Sequence, residues 1–121
     1  MILVDTSVWI GHFRAADGDL IALLIAGRVV MHDHVLGELA LGSLKDRAAT
    51  LKDLANLARA PLATEAEVRS FIEFHRLFRR GVGYVDAHLL ASVMLGQEMT
   101  LWTRDSRLAG VADEFSVAYR P

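Results

Sequence analysis

The sequence predicts an α/β protein, a three-layer sandwich in which helices cover both faces of a mainly parallel central sheet. Short apolar runs of strand length alternate with helical segments from one end of the chain to the other. The chain has 121 residues, of which 53% are hydrophobic and 23% charged, so it can build one folded core. No linker, repeat or low-complexity tract divides it, and we therefore expect a single domain over residues 1–121.

The first half of the chain begins with an apolar run, Ile2–Val4, that predicts a buried strand. The elements expected after it are a helix over 6–14, a helix over 18–28, a strand over 29–32, and helices over 33–44 and 46–60. Gly27 should end the second helix, because glycine readily adopts the left-handed conformation found after helices. Pro61 donates no ladder hydrogen bond, so a strand over 59–63 could lie only at a sheet edge.

The second half opens with the pattern of a capping box, in which Thr64 is followed three residues later by Glu67. This pattern predicts a helix that continues to the basic residues before Gly81. The elements expected after it are a helix over 84–96, a strand over 99–103, a short helix over 105–112 and a final strand over 115–119.

The composition excludes several classes of protein. The absence of cysteine excludes disulfides and thiolate metal sites, and it permits a reducing cytoplasm. The start lacks the basic region of a secretory signal, and no apolar stretch reaches the roughly 18–20 residues of a membrane span. We therefore expect a cytoplasmic protein with no membrane segment. A mean hydropathy of +0.31 is high for a small domain and indicates apolar surface that a partner chain covers.

Four carboxylates stand in otherwise apolar surroundings. Asp5 ends the first strand, Asp105 follows the strand over 99–103, Asp86 begins an uncharged helix, and Glu38 lies inside another helix. Each aspartate could simply cap a helix, and Glu38 could reach solvent or pair with an arginine. Taken together, however, the four acids should lie at one edge of the sheet, because the carboxyl ends of parallel strands and the N-termini of the helices that follow them lie at the same edge.

Such a cluster has consequences for its chemistry. Four converging acids repel one another unless a cation neutralises them. Oxygen ligands without any cysteine favour a hard divalent ion, Mg²⁺ or Mn²⁺. Asp5 is then interpreted as a metal ligand at the mouth of the sheet, with Thr6 and Ser7 capping the following helix and bracing the Asp5 carboxylate.

The segments VDTSVWI, GEL, VDAHLLA and LWTRDSRL resemble the motifs of PIN-domain ribonucleases, and in particular VapC-type toxins of bacterial type II toxin–antitoxin pairs. The resemblance spans nearly the whole chain, and the four acids of the family map onto Asp5, Glu38, Asp86 and Asp105. Thr103 falls where the family often keeps a polar residue. The resemblance implies a PIN-like fold, Mg²⁺-dependent RNA cleavage to a 3′-hydroxyl and a 5′-phosphate, a homodimer, and a cognate antitoxin that blocks the site.

The hypothesis assigns metal binding to Asp5, Asp86 and Asp105, and a role as general base or further ligand to Glu38. Bound metal would activate a water for attack on the RNA phosphate. Arg104 and Arg107 flank Asp105 and are the candidates for contact with RNA phosphate. Without the four site acids, 11 acidic residues face 13 basic ones, a balance that suits binding of a polyanion.

The sequence also offers candidates for an interface and a set of histidines. The candidates for a dimer interface are Leu41, Leu44, Leu54 and Phe71. His32 and His34 flank Asp33, but their spacing and the absence of a third histidine nearby in the sequence favour structural or hydrogen-bonding roles. Packing or surface roles are expected for His12, His75 and His88.

Non-catalytic binding modules are the alternative class. A receiver domain has its acceptor aspartate in mid-chain and a lysine after the last strands, whereas the last lysine here is Lys52. A phosphatase with an aspartate nucleophile typically ends its first strand in Asp-x-Asp, but Ser7 stands at the second position. A PIN-like module that only binds a partner is disfavoured by the presence of all four acids.

Overall fold

A computed structural model describes residues 1–121. Seven helices surround a sheet of four short strands. In chain order the elements are β1 (Ile2–Val4), α1 (Thr6–Arg14), α2 (Gly18–Ile25), β2 (Val29–Met31), α3 (Asp33–Leu41), α4 (Arg47–Ala55), β3 (Ala58–Arg59), α5 (Glu65–His75), α6 (Tyr84–Leu95), β4 (Thr100–Trp102) and α7 (Ser106–Glu114). The predicted α/β class is confirmed, and every strand pair in the sheet is parallel.

The order of strands in the sheet is β3-β2-β1-β4. Leu3 in the central strand β1 is in register with Val30 of β2 on one side and Leu101 of β4 on the other. The chain therefore moves outward from β1 through β2 to β3, and then returns to the opposite side of β1. The direction of winding reverses between β1 and β4. Open α/β sheets bind their ligands at such a reversal point, beyond the carboxyl ends of the strands.

The central strand is covered on both faces. Ile2, Leu3 and Val4 are each at most 1% exposed, although successive side chains point to opposite sides of the sheet. Burial on both faces is typical of parallel sheets that lie between two layers of helices. The longest helix, α6, has 12 residues, and none of the seven helices has the length and apolar character needed to cross a membrane.

The helix predicted over 46–60 is too long. Helix α4 ends at Ala55, because the residues that follow pair with the sheet: Ala58 lies beside Val30 and Arg59 beside Met31. The resulting strand β3 lies at the sheet edge, as Pro61 requires, but it ends at Arg59 and does not extend over the predicted range 59–63.

The predicted capping box at the start of α5 is confirmed. The Thr64 hydroxyl accepts a hydrogen bond from the Glu67 amide (3.1 Å), and the Glu67 carboxylate accepts one from the Thr64 amide (2.8 Å). The predicted end near Gly81 is wrong, because α5 stops at His75. Arg76 adopts a left-handed conformation (φ 52°), and the chain turns so that the Leu77 side chain, 3% exposed, enters the core.

The strand predicted over 115–119 is reduced to a single parallel bridge between Ala118 and Leu101. The Leu101 amide donates to the Val117 carbonyl and the Tyr119 amide donates to the Leu101 carbonyl, both at 2.8 Å. The C-terminal segment therefore extends the sheet beyond β4, but only over this one residue pair.

Candidate active site

The four acids predicted from the sequence converge at the carboxyl edge of the sheet. Asp5 directly follows β1, Asp105 lies three residues after β4, Asp86 lies in the first turn of α6, and Glu38 lies in α3. Burial raises the pKa of Asp86, a hydrogen bond from the Gly83 amide opposes this rise, and the negative charges of the three other acids add to it. The four carboxylates therefore share one electrostatic environment at the point where the winding of the sheet reverses.

Asp5 occupies the N-cap position of α1, but its side chain does not cap the helix. Its Oδ2 atom instead accepts hydrogen bonds from the hydroxyls of Ser7 and Thr103, both at 2.7 Å. The residue is 6% exposed, and Oδ1 receives no hydrogen bond from the protein. Helix capping therefore does not explain this buried carboxylate.

The two hydroxyls that hold Asp5 also bind the loop after β4. The Thr103 hydroxyl accepts a hydrogen bond from the Asp105 amide (3.0 Å), and the Ser7 hydroxyl accepts one from the Arg104 amide (3.0 Å). Thr103 thus connects the carboxylate that ends β1 with the backbone of the acid that follows β4. These contacts fix the two loops on either side of the reversal point.

Thr6 has a different partner from the one expected. Its hydroxyl donates to Oε1 of Glu38 (2.7 Å) and not to Asp5. Glu38 itself is exposed, which corrects the expectation of an apolar setting, because its flank of α3 opens towards solvent next to α1. The Oε2 atom of Glu38 receives no hydrogen bond from the protein.

The remaining two acids are each fixed through one oxygen. Oδ2 of Asp86 accepts a hydrogen bond from the Gly83 amide (2.9 Å). Oδ1 of Asp105 caps α7 by accepting from the amides of Arg107 (2.9 Å) and Leu108 (3.1 Å). The capping interpretation is therefore correct for one oxygen of Asp105, while its second oxygen, like that of Asp86, has no protein donor.

No cationic side chain neutralises the cluster. Four arginine–carboxylate ion pairs occur in the structure, and they join other residues: Arg59–Asp33, Arg80–Glu114, Arg104–Asp17 and Arg120–Asp113. Each of the four acids thus has one oxygen held in place and one oxygen without a protein donor. An all-oxygen set of carboxylates with this property fits a hard divalent cation.

The two arginines beside Asp105 differ in their contacts. Arg104 donates to Oδ2 of Asp17 (2.6 Å), and its guanidinium lies so close to Gly11 that a Cβ there would be 1.8 Å from Nη1. Arg107 forms no ion pair, and its side chain packs on Gly81, which has a φ of +79°. Arg107 therefore has the guanidinium that is free to contact an anion.

The four leucine and phenylalanine candidates for an interface lie in different places. Leu54 is 6% exposed and belongs to the hydrophobic core, so its assignment to an interface is wrong. Phe71 is half-buried and packs against the rings of His75 and Phe115. Leu44 is half-buried, and Leu41 is 90% exposed.

A histidine cluster was missed at the sequence level. In the folded protein His88 lies close to His32 and His34, so the three histidines form one group. His88 is 1% exposed and is not a surface residue. The separation of His88 from the other two by more than fifty residues left no local signal in the sequence.

Comparison with known proteins gives two findings. Residues 2–114 match the family model described as the PIN domain. The chain is also 51% identical over 118 residues to Ribonuclease VapC32 of Mycobacterium tuberculosis, from both strain CDC 1551 / Oshkosh and strain ATCC 25618 / H37Rv. Each alignment covers 98% of this chain and 95% of the relative. The chain therefore belongs to the PIN-domain family and is a VapC-type member of it.

Proposed function

We propose that this protein is a metal-dependent ribonuclease toxin that hydrolyses RNA phosphodiester bonds and is inhibited by a cognate antitoxin. The observation that carries the proposal is the cluster of four carboxylates at the reversal point of the sheet, each with one free oxygen and no cationic partner. The relatives named as ribonucleases support RNA as the substrate. The match to the PIN model over residues 2–114 supports one domain over 1–121.

Asp5, Asp86 and Asp105 would hold Mg²⁺ or Mn²⁺ through their free oxygens. The bound ion would polarise a phosphoryl oxygen and lower the pKa of a water. Ser7 and Thr103 orient the Asp5 carboxylate. The hydrogen bond from the Asp105 backbone amide to the Thr103 hydroxyl holds the Asp105 backbone next to Asp5. These are positioning roles, because both hydroxyls are bound to the Asp5 carboxylate itself.

Glu38 is suited to accept a proton from the attacking water, or to act as a further ligand. Thr6 fixes one of its oxygens, and the other has no protein donor and belongs to a side chain on an exposed helix flank. A base must reach the water that it deprotonates, and an exposed carboxylate has this freedom. Attack by water in line with the leaving oxygen yields the 3′-hydroxyl and 5′-phosphate that the family resemblance implies.

We assign the contact with RNA phosphate to Arg107 in preference to Arg104. Both lie beside Asp105, but Arg104 is bound to Asp17 while Arg107 has no acidic partner. Outside the four site acids, 13 basic residues stand against 11 acidic ones, so the rest of the protein carries a net positive charge that favours binding of a polyanion.

The antitoxin is proposed to cover a groove beside the site. The groove has a volume of about 360 Å³, lies next to Glu38, and is lined by Ile10, Phe13, Arg14 and Leu44 among others. Ile10 and Phe13 are 42% and 40% exposed, which is apolar surface that a protein partner would bury. A homodimer through other exposed apolar residues, such as Leu41, and a cytoplasmic location complete the proposal.

The test is ribonuclease activity of Asp5→Asn and Asp86→Asn with Mg²⁺ or Mn²⁺ and with EDTA. Asparagine keeps the shape of the side chain but is a poor ligand for a hard cation, so both variants should lose cleavage and toxicity in growing cells. Asp33→Asn is the matched control, because Asp33 begins a helix after β2 but is paired with Arg59 (2.6 Å). Cleavage by the two site variants at the rate of the parent protein, or cleavage in EDTA, would refute the proposal.

A further inference from the structure

Three histidines converge outside the acidic cluster. His32 follows β2, His34 lies in the first turn of α3, and His88 lies in α6. One ring nitrogen of each histidine lies within 4.8 Å of the corresponding nitrogen of the other two. His32 and His88 are 0% and 1% exposed, so the cluster is built into the interior where these elements meet.

Each of the three rings has a buried nitrogen without a hydrogen-bond partner. These atoms are Nε2 of His32, Nδ1 of His34 and Nδ1 of His88. Buried polar atoms nearly always have partners, because an unsatisfied one loses its interaction with water without compensation. Three such atoms on neighbouring rings indicate a shared ligand.

The surroundings of His88 orient its free nitrogen. Its Nε2 atom lies 3.2 Å from Oε2 of Glu65, and the Tyr84 hydroxyl donates to the same oxygen. A carboxylate accepts hydrogen bonds, so Nε2 of His88 carries the proton and Nδ1 presents a lone pair. A carboxylate bound to the far nitrogen of a histidine is the usual outer-shell arrangement of metal-binding histidines.

We propose that His32, His34 and His88 bind one first-row transition metal ion, of which Zn²⁺ is the best fit, with Glu65 as the outer-shell partner of His88. Three imidazoles suit Zn²⁺ and exclude Mg²⁺, which prefers oxygen. Three protein ligands and one water complete a tetrahedral zinc site. The site is separate from the carboxylate cluster in both position and metal preference.

Metal binding requires the rings to move closer together. Nitrogens of a tetrahedral zinc site lie about 3.3 Å apart, given Zn–N bonds of about 2.05 Å. Binding would therefore shorten separations of up to 4.8 Å by up to about 1.5 Å through rotation of the side chains. His34 is half-buried, so it offers both a route of entry and room to rotate.

His32 must exchange one contact for another. Its Nδ1 atom accepts a hydrogen bond from the His34 amide (3.0 Å), so in the metal-free protein its proton is on Nε2. Binding through Nε2 transfers this proton to Nδ1 and breaks the cap of α3.

The metal would connect the two helices that carry active-site acids. His32 and His34 lie at the start of α3, which contains Glu38, and His88 lies two residues after Asp86 in α6. A bound ion would therefore join α3 to α6. We expect it to stabilise the fold, because a ligand that binds only the native state raises the free energy of unfolding.

Co²⁺ and Zn²⁺ binding by the full-length protein without a histidine tag tests the proposal. Tetrahedral Co²⁺ absorbs strongly in the visible region, whereas Co²⁺ bound by oxygen in an octahedral site absorbs weakly. One equivalent of Co²⁺ should give the strong band, and one equivalent of Zn²⁺ should abolish it and raise the melting temperature. Asp5→Asn should keep the band, because that substitution affects only the carboxylate cluster.

Three variants identify the ligands by calorimetry with Zn²⁺. Glu65→Gln should weaken affinity about 10- to 100-fold, the usual effect of losing an outer-shell partner, and His34→Gln should weaken it further. His75→Gln should not change it, because His75 lies outside the cluster. Absence of the strong band in the parent protein overturns the proposal whether or not His34→Gln folds. The same holds for a band that survives His34→Gln or disappears in Asp5→Asn.

Discussion

The substitution Thr103→Val removes one hydroxyl that links two of the acids. The Thr103 hydroxyl donates to Oδ2 of Asp5 at 2.7 Å and accepts from the Asp105 amide at 3.0 Å. Valine has nearly the same volume as threonine, so packing around this half-buried position is retained. The variant therefore removes these two hydrogen bonds, together with the longer contact of 3.4 Å between the Thr103 and Ser7 hydroxyls.

The expected loss of stability follows from these two contacts. A hydrogen bond to a charged group contributes about 1.5–3 kcal/mol, and one between neutral groups contributes about 1 kcal/mol. Asp5 keeps the Ser7 bond, and water reaches the exposed Asp105 loop, so part of the sum is recovered. We expect the free energy of unfolding to fall by about 2 kcal/mol. For a chain of this length, this corresponds to a fall in melting temperature of about 8 °C.

The effect on activity has a separate cause. Without Thr103, the Asp5 carboxylate and the Asp105 backbone lose their common anchor, and the free oxygens of the two acids are less well positioned. Loss of an outer-shell contact at a metal site typically costs about 10- to 100-fold in activity. Cleavage of RNA at saturating Mg²⁺ and thermal melting in EDTA measure the two effects independently.

Thr100→Val is the matched control, because Thr100 is also half-buried and lies on β4, but its hydroxyl takes no part in these contacts. It should melt and cleave like the parent protein. If Thr103→Val does the same, within about 1 °C and twofold in rate, the hydroxyl does not position the acids and the reasoning fails.

Three other predictions concern single residues of the site and its rim. Asp86→Asn should raise the melting temperature in EDTA at neutral pH, because burial and the neighbouring acids raise the pKa of Asp86 and disfavour its charged form in the folded protein. This gain should vanish as pH falls below the ordinary value of 3.8, where the carboxyl is protonated in both states, and a gain that persists there contradicts the explanation. Gly81→Ala should lower the free energy of unfolding by about 1–3 kcal/mol in denaturant titrations, because Gly81 has a φ of +79° and a Cβ there would lie 2.5 Å from Cδ of Arg107. An unchanged denaturation midpoint would show that alanine fits at this position without strain. Arg107→Ala should weaken RNA binding and reduce the slope of its salt dependence by about 1, whereas an unchanged slope would exclude a phosphate contact.

The sequence by itself determined the fold class and where the acids would lie along the elements. Strand-length apolar runs and capping patterns are local, and α1 and α6 formed within a residue or so of their expected bounds. The positions of Asp5 and Asp105 after parallel strands are equally local features. All parallel strands end at one edge, so these positions alone predicted that the two acids would meet.

The partners of individual side chains were decided only by the tertiary structure. Thr6 binds Glu38 and not its neighbour Asp5, and Leu54 points into the core, because both outcomes depend on how separate helices pack. The bounds of α4 changed for a related reason, since Ala58 and Arg59 gained ladder hydrogen bonds from β2.

The histidine cluster shows the same limit most clearly. His32 and His88 come from a strand end and a helix far apart in the sequence, and each alone has the features of an ordinary packed histidine. Their rings come close together only after α3 and α6 have packed beside the sheet. Local sequence patterns specify elements and their ends, whereas contacts between distant side chains arise from the packing of those elements, which no single segment encodes.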